Sequence, residues 1–193
     1  MSALVLCVVF GAIPVAWYLW RAHTVNTPSL RWPVLAKILN LKYESGPARM
    51  AGVWNGRKVA FEAGAGSVTV SAWLNAPTRL RVECGAKDVV AGRAGMLVPD
   101  AVEPRDAGFR DRLLARCSDK AAGAVVFDVT LQQRLAALAA VDFIGEQQRV
   151  AWTVPAVRDI DEAEALLGAL CAVSDGLESF PHSGGLNAQA NRP

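Results

Sequence analysis

The chain has 193 residues, 52 % hydrophobic and 20 % charged, with 20 basic and 18 acidic side chains and a formal net charge of +2. That near-neutral total hides a basic segment beside the opening apolar run, placed for a membrane surface, so a nucleic-acid-binding role is not expected. The four cysteines form no CxxC pair, which leaves a disulfide framework and a thiolate metal site unsupported and fits free thiols in a reducing compartment.

Residues 1–20 contain no charged side chain and are almost wholly apolar, with Trp17, Tyr18 and Trp20 ahead of Arg21. A helix of this length matches the hydrocarbon thickness of a bilayer, at about 1.5 Å per residue against about 30 Å. The aromatic cluster has the character of an interfacial belt. The run lacks the positive n-region and the small-residue cleavage site of a secretory signal, so it is read as a retained single span. Residues 21–61 carry a net charge of +6 and the remainder −4. By the positive-inside rule the N-terminus lies outside and the following domain in the cytoplasm, its basic segment beside anionic lipid head groups.

Residues 21–32 read as a linker interrupted by Pro28. From Pro33 a short amphipathic helix is expected, with Val34, Leu35, Ile38 and Leu41 on one face. A strand-rich block follows. Residues 50–54 and 57–63 flank Asn55-Gly56, a strong hairpin signal. Residues 67–74 alternate, with Val68, Val70, Ala72 and Leu74 on one face and Thr69, Ser71 and Trp73 on the other, and Leu80, Val82 and Cys84 alternate next. Four consecutive strands joined by tight turns predict an antiparallel meander.

Residues 85–108 are rich in Gly, Pro and charge, with only residues 95–98 strand-like. A helix is expected from Asp106, with Phe109, Leu113 and Cys117 inward, then a short strand at 124–127. Asp128 or Thr130 caps a helix that buries Leu131, Leu135 and Leu138. Residues 141–144 and 149–153 form a second hairpin. Asp159 caps a final helix, with Glu162 three residues on as in a capping box, and Ile160, Ala163, Leu167, Leu170 and Leu177 form its apolar stripe. The tail, residues 181–193, is polar.

The order of these elements, with Asn55-Gly56-Arg57-Lys58-Val59 and Phe127-Asp128 as the local motifs, resembles uncharacterised bacterial single-span membrane-anchored proteins with a C-terminal α+β domain. The resemblance implies no activity. The expected fold is therefore α+β: a transmembrane anchor over residues 1–24, a cytoplasmic domain over residues 25–180 in which meander strands pack with two or three helices, and the tail.

The search for chemistry finds no catalytic, cofactor-binding or metal-ligating residue. Gly64-Ala65-Gly66-Ser67 lacks the lysine of a phosphate loop and a strand follows it, so it reads as a turn. His23 and His182 have no partner at helical spacing. The acidic run from Asp159 to Glu164 is the start of a helix. Among Trp32, Trp54 and Trp73, Trp73 is the best candidate for exposure because it shares a strand face with Thr69 and Ser71. The expectation is a non-enzymatic accessory or structural subunit of a bacterial inner-membrane complex, a photosynthetic reaction centre–light-harvesting assembly being one example. The alternatives are a membrane-tethered ligand-binding or enzymatic domain and an anionic-lipid surface sensor. Expected partners are other membrane-protein subunits and the bilayer with its anionic lipid head groups; no cofactor and no nucleic acid are expected.

Overall fold

The protein is described from a computed structural model, which covers residues 13, 15–17, 28–93 and 100–180. Nine strands form one antiparallel sheet: β1 (Lys42–Ser45), β2 (Ala48–Trp54), β3 (Arg57–Ala63), β4 (Val68–Trp73), β5 (Arg81–Ala86), β6 (Asp100–Ala101), β7 (Leu113–Cys117), β8 (Asp142–Glu146) and β9 (Arg149–Val154). The described helices are α1 (Pro28–Ile38), α2 (Lys87–Gly92), α3 (Ala107–Arg112), α4 (Lys120–Val126), α5 (Val129–Ala137) and α6 (Ile160–Glu178).

The spatial order is β1-β2-β3-β4-β9-β8-β5-β7-β6. Only the first four strands form a meander. The hairpin of β8 and β9 is inserted between β4 and β5, so the expected run of four neighbouring strands from residue 50 to residue 84 is corrected. Its first three members, β2 to β4, are adjacent as read. Asn55 and Gly56 adopt φ values of 48° and 76°, the left-handed pair that a two-residue hairpin turn requires. β1 was not legible as a strand. It is four residues long and mostly exposed, an edge strand carrying Lys42 and Glu44.

Strand alternation divides the sheet into two faces. Met50, Val59, Phe61, Val70, Ala72, Val82, Cys84, Ala115, Phe143, Val150 and Trp152 lie on one face and are fully or almost fully buried. Helices α1 and α6 pack here. Trp32 of α1 meets Phe61 edge-on at 6.3 Å, and Phe143 lies between Phe127 at 6.2 Å and Trp152 at 5.0 Å. Each aromatic pair contributes about 0.5–1.5 kcal/mol beyond the area it buries.

Helix α1 begins at Pro28, a turn earlier than expected, with Pro33 inside it. The earlier start brings Trp32, Leu35, Ala36 and Leu39 onto the sheet and leaves Leu30, Val34 and Ile38 exposed, so the expected apolar face is rotated. Asn40 at φ 55° ends the helix, and the Leu41 amide donates to the Ala36 carbonyl in a Schellman-type closure. Leu113 and Cys117 belong to β7 rather than to a helix. Residues expected as a strand at 124–127 lie at the end of α4, where the Asp119 side chain accepts from the Ala122 amide and starts the helix. Asp128 and Asp159 cap α5 and α6 as read, accepting from the amides of Leu131 and Glu162. Glu162 reaches back to accept from the Arg158 amide. The strand-like residues 95–98 and the polar tail lie outside the described residues.

The expected transmembrane helix ahead of the domain is also corrected. Among the described residues no helix is long and apolar enough to cross a membrane. The longest, α6, carries Asp161, Glu162, Glu164, Asp175 and Glu178 and packs one face on the sheet. Of the stretch 1–24, Ile13 and residues 15–17 are helical, and the rest lies outside the described residues. The single-span inner-membrane placement, with the N-terminus out and the domain in the cytoplasm, is not supported by any described helix.

Candidate functional site

Among the described residues the opposite face of the sheet is largely free of helices. Of the described helices only α2 lies on it: Val90 comes within van der Waals reach of the space above Gly85, and Arg93, just after α2, pairs with Glu83 and Asp142 of this face. Register places Lys58, Ala60 and Glu62 of β3, Thr69, Ser71 and Trp73 of β4, Arg149, Ala151 and Thr153 of β9, and Asp142, Ile144 and Glu146 of β8 side by side. The middle of this array is small. Ala60 and Ser71 are fully buried although they face away from the core, because longer side chains rise around them.

Small residues flanked by long ones make a trough, and a cleft of about 480 Å³ occupies it over β4, β9 and β8. Ile144 and Ala151 line its apolar part. The Trp73 indole stands on the β4 side, with the Lys58 ammonium 5.0 Å from its ring centroid. Arg93 and Asp142 line the cleft beside α2. The turn residues Gln147 and Gln148, with Glu146, Arg149 and Thr153, complete the lining. The turn is held from behind: the Leu74 amide donates to the Gln148 carbonyl at 2.8 Å and the Thr78 amide to the Gln147 carbonyl at 2.7 Å. Backbone bonds thus position the two amide side chains on a rigid edge, with Gln147 at φ 53°.

An ion-pair chain runs along the α2 side of the cleft. Arg116 lies 3.4 Å and Arg93 3.8 Å from the Glu83 carboxylate, and Arg93 also bonds Asp142. Glu83 is 1 % exposed in its side chain, so its charge is sustained by two guanidiniums rather than by water. One Glu83 oxygen (Oε2), one Arg93 nitrogen (Nη1) and the Ser71 hydroxyl are buried without a hydrogen bond. Of these three residues only Arg93 lines the cleft.

A second polar cluster lies on the helix-covered face. Arg57 is 4 % exposed and donates to Glu178 at 2.6 and 3.0 Å, to Asp175 at 2.6 Å and to the Trp73 carbonyl at 2.9 Å. Those bonds raise the guanidinium pKa and hold the Glu178 carboxyl below its usual range. The cluster ties the start of β3 to the end of α6, and it is a structural clamp. Among the described residues the three cysteines are free thiols. Burial pushes the Cys84 thiol well up, and desolvation raises those of Cys117 and Cys171. Among the described residues no group of His, Cys, Asp and Glu is arranged to hold a metal ion.

The features singled out in the sequence fall in different places. Trp73 lies on the open face beside Thr69 and Ser71, as the alternation predicted. Trp32 is core and Trp54 packs against the core. Gly64-Ala65-Gly66-Ser67 is a turn in which the Gly64 amide donates to the Ser67 carbonyl, and Gly66 has φ 79°. His23 and His182 lie outside the described residues. The basic stretch 21–61 is not one surface: Arg57 is buried on the helix face, while Arg49 bonds Glu62 and Lys58 covers Trp73 on the other. Arg93, Asp142 and the 147–149 edge were missed. The alternation around residue 144 was the available signal, but nothing local pairs β9 with β4.

No family model matches the chain, and no curated protein matches it. Among solved structures, the fold is similar to the mycobacterial trehalose monomycolate transport factor A, TtfA. The TM-score is 0.59 at 14 % identity, covering 80 % of this chain and 96 % of that one. At that identity the likeness is one of fold. The expected assignment as an accessory subunit of an inner-membrane complex of the photosynthetic kind is corrected: a solved structure that shares the architecture is a transport factor rather than such a subunit.

Proposed function

We propose that this chain is a transport factor for a sugar-headed lipid and works as a binding domain rather than as an enzyme. The observation that carries the reading is the likeness to the trehalose monomycolate transport factor, which extends over 96 % of that structure. Two features of the site support it. The cleft carboxylate Asp142 is tied to Arg93, and Glu146 lies 3.1 Å from Arg81, so neither is placed as a free general base. The cleft is open, polar and rigidly edged, as suits recognition of a head group without chemistry on it. The proposed partner is that lipid. Nucleic acid is not proposed, because basic and acidic side chains alternate across the open face.

The test is depletion of the chain in the cell that makes it, with metabolic labelling of the cell's glycolipids. Labelled precursor is expected to accumulate where it is synthesised while its arrival at the outer surface falls. Unchanged surface glycolipid after complete depletion would refute the reading.

A further inference from the structure

The cleft over β4, β9 and β8 has the chemistry of a site for a neutral, polyhydroxylated ring, and we infer that it takes a hexose unit. Three observations converge. The first is charge. The lining holds two guanidiniums, Arg93 and Arg149, and two carboxylates, Asp142 and Glu146, and so has no net sign to select an anion or a cation. The second is the surface itself. Trp73 provides an apolar plate on one side, and Ile144 and Ala151 an apolar floor, while Gln147, Gln148 and Thr153 supply both donors and acceptors. A hexose has that division, with C–H groups on its faces and hydroxyls on its rim. The third is unmet bonding capacity: Arg93 lines the cleft, and its Nη1 is buried without a hydrogen bond.

Two other surfaces were weaker. The exposed stripe of Leu30, Val34 and Ile38 on α1 and the small-residue groove of Ala165, Gly168 and Ala169 on α6 are apolar, with nothing to identify what covers them. The cleft differs in that one of its lining residues, Arg93, carries a buried guanidinium nitrogen without a hydrogen bond. A site built to hydrogen-bond hydroxyls discriminates strongly against analogues that lack them, because its own polar groups are then left unpaired. The hexose belongs either to a free saccharide or to the head of a glycolipid. The glycolipid source rests on the transport reading above, whereas the hexose site itself does not.

The experiment is an amide-resolved NMR titration of the full chain in a zwitterionic, sugar-free detergent, so that no detergent head group competes. The probes are free trehalose, free maltose, a trehalose monoester and inorganic phosphate. Saturable shifts confined to residues 142–153 and to Trp73 are expected with at least one saccharide probe. Saturation by the free disaccharides assigns the site to saccharides in general, and saturation by the monoester alone assigns it to the glycolipid. Trp73→Ala and Gln148→Ala are expected to weaken binding by about tenfold or more. Gln148 is exposed, so its replacement leaves the fold intact, and far-UV circular dichroism verifies this for both variants. The inference is overturned if no saccharide probe gives saturable shifts, if the shifts fall elsewhere, if neither variant weakens binding, or if phosphate alone saturates the cleft. Depletion followed by rescue with Trp73→Ala separates the two proposals. Full rescue by a variant that no longer binds sugar removes the hexose site and leaves the transport reading. Sugar binding by a chain whose depletion changes no glycolipid removes the transport reading and leaves the site.

Discussion

Arg57→Ala is expected to destabilise the protein by about 3 kcal/mol, and the figure follows from how its partners are exposed. The Arg57 side chain is 5 % exposed, Glu178 20 % and Asp175 70 %. The Asp175 arm is a surface pair and contributes under about 1 kcal/mol. The Glu178 arm is mostly buried. Removing one partner of a buried pair costs about 3–5 kcal/mol, but Glu178 keeps the Asn75 amide and can turn toward water, so the lower part of that range or slightly less applies. The Trp73 carbonyl loses a donor, worth about 1 kcal/mol. These terms share one guanidinium and do not add in full. For a chain of this size, about 3 kcal/mol lowers Tm by roughly 6–12 °C. Urea unfolding followed by far-UV circular dichroism measures the change, and a double-mutant cycle apportions it. Arg57 and Glu178 should couple by about 1–3 kcal/mol, Arg57 and Asp175 by a few tenths. Replacing both ends, Arg57→Met with Glu178→Leu, should recover most of the loss, because an apolar pair leaves no charge buried alone. A loss under about 1 kcal/mol for Arg57→Ala, or equal coupling to Glu178 and Asp175, would refute the clamp.

The same clamp sets a pH dependence. The folded Glu178 carboxyl lies below its ordinary value of 4.5, so its contribution is complete above that value and is lost as pH falls through the folded one. Wild-type stability should therefore decline below about pH 4.5 more steeply than that of Glu178→Gln, and parallel curves would contradict the assignment. Gln132 is fully buried in α5. It accepts from the Arg105 and Asp106 amides and donates to the Glu103 and Phe127 carbonyls. Gln132→Leu should cost about 2–3 kcal/mol in a denaturant melt, since it orphans buried backbone groups, and a cost near zero would mean that water replaces the amide. Cys84 and Cys117 are buried thiols with raised pKa, so maleimide at neutral pH should leave both unmodified in the folded protein and label them in urea. Peptide mass spectrometry reads the outcome, and Cys84 labelling as fast as Cys171 in the folded state would contradict the burial.

Local chemistry was legible where it acts over a few residues. Asn55-Gly56 turned the chain because few other residue pairs accept two positive φ values, and Asp128 and Asp159 started helices because their carboxylates meet amides three residues on. Alternation in residues 67–74 put Trp73 on the correct face. Period and propensity failed where they were short or ambiguous. Residues 113–117 read equally as a helix end or a strand, and the register with β5 decided for the strand. Residues 124–127 contain two valines that suit a strand, yet Asp119 caps a helix through them. The apolar opening run satisfied every length criterion for a span, and nothing local could test it.

What lay in the amino-acid order was therefore the set of turns, caps and alternating faces, each the product of contacts within about four residues. The functional surface arose at a longer range. The cleft exists because the β8–β9 hairpin enters the sheet between β4 and β5, setting Trp73 beside Arg149 and, through α2, Arg93 beside Asp142. Strand order depends on which packing buries Trp152, Phe143 and Phe127 together under the helices, a choice made by the whole core, and no window of sequence contains it.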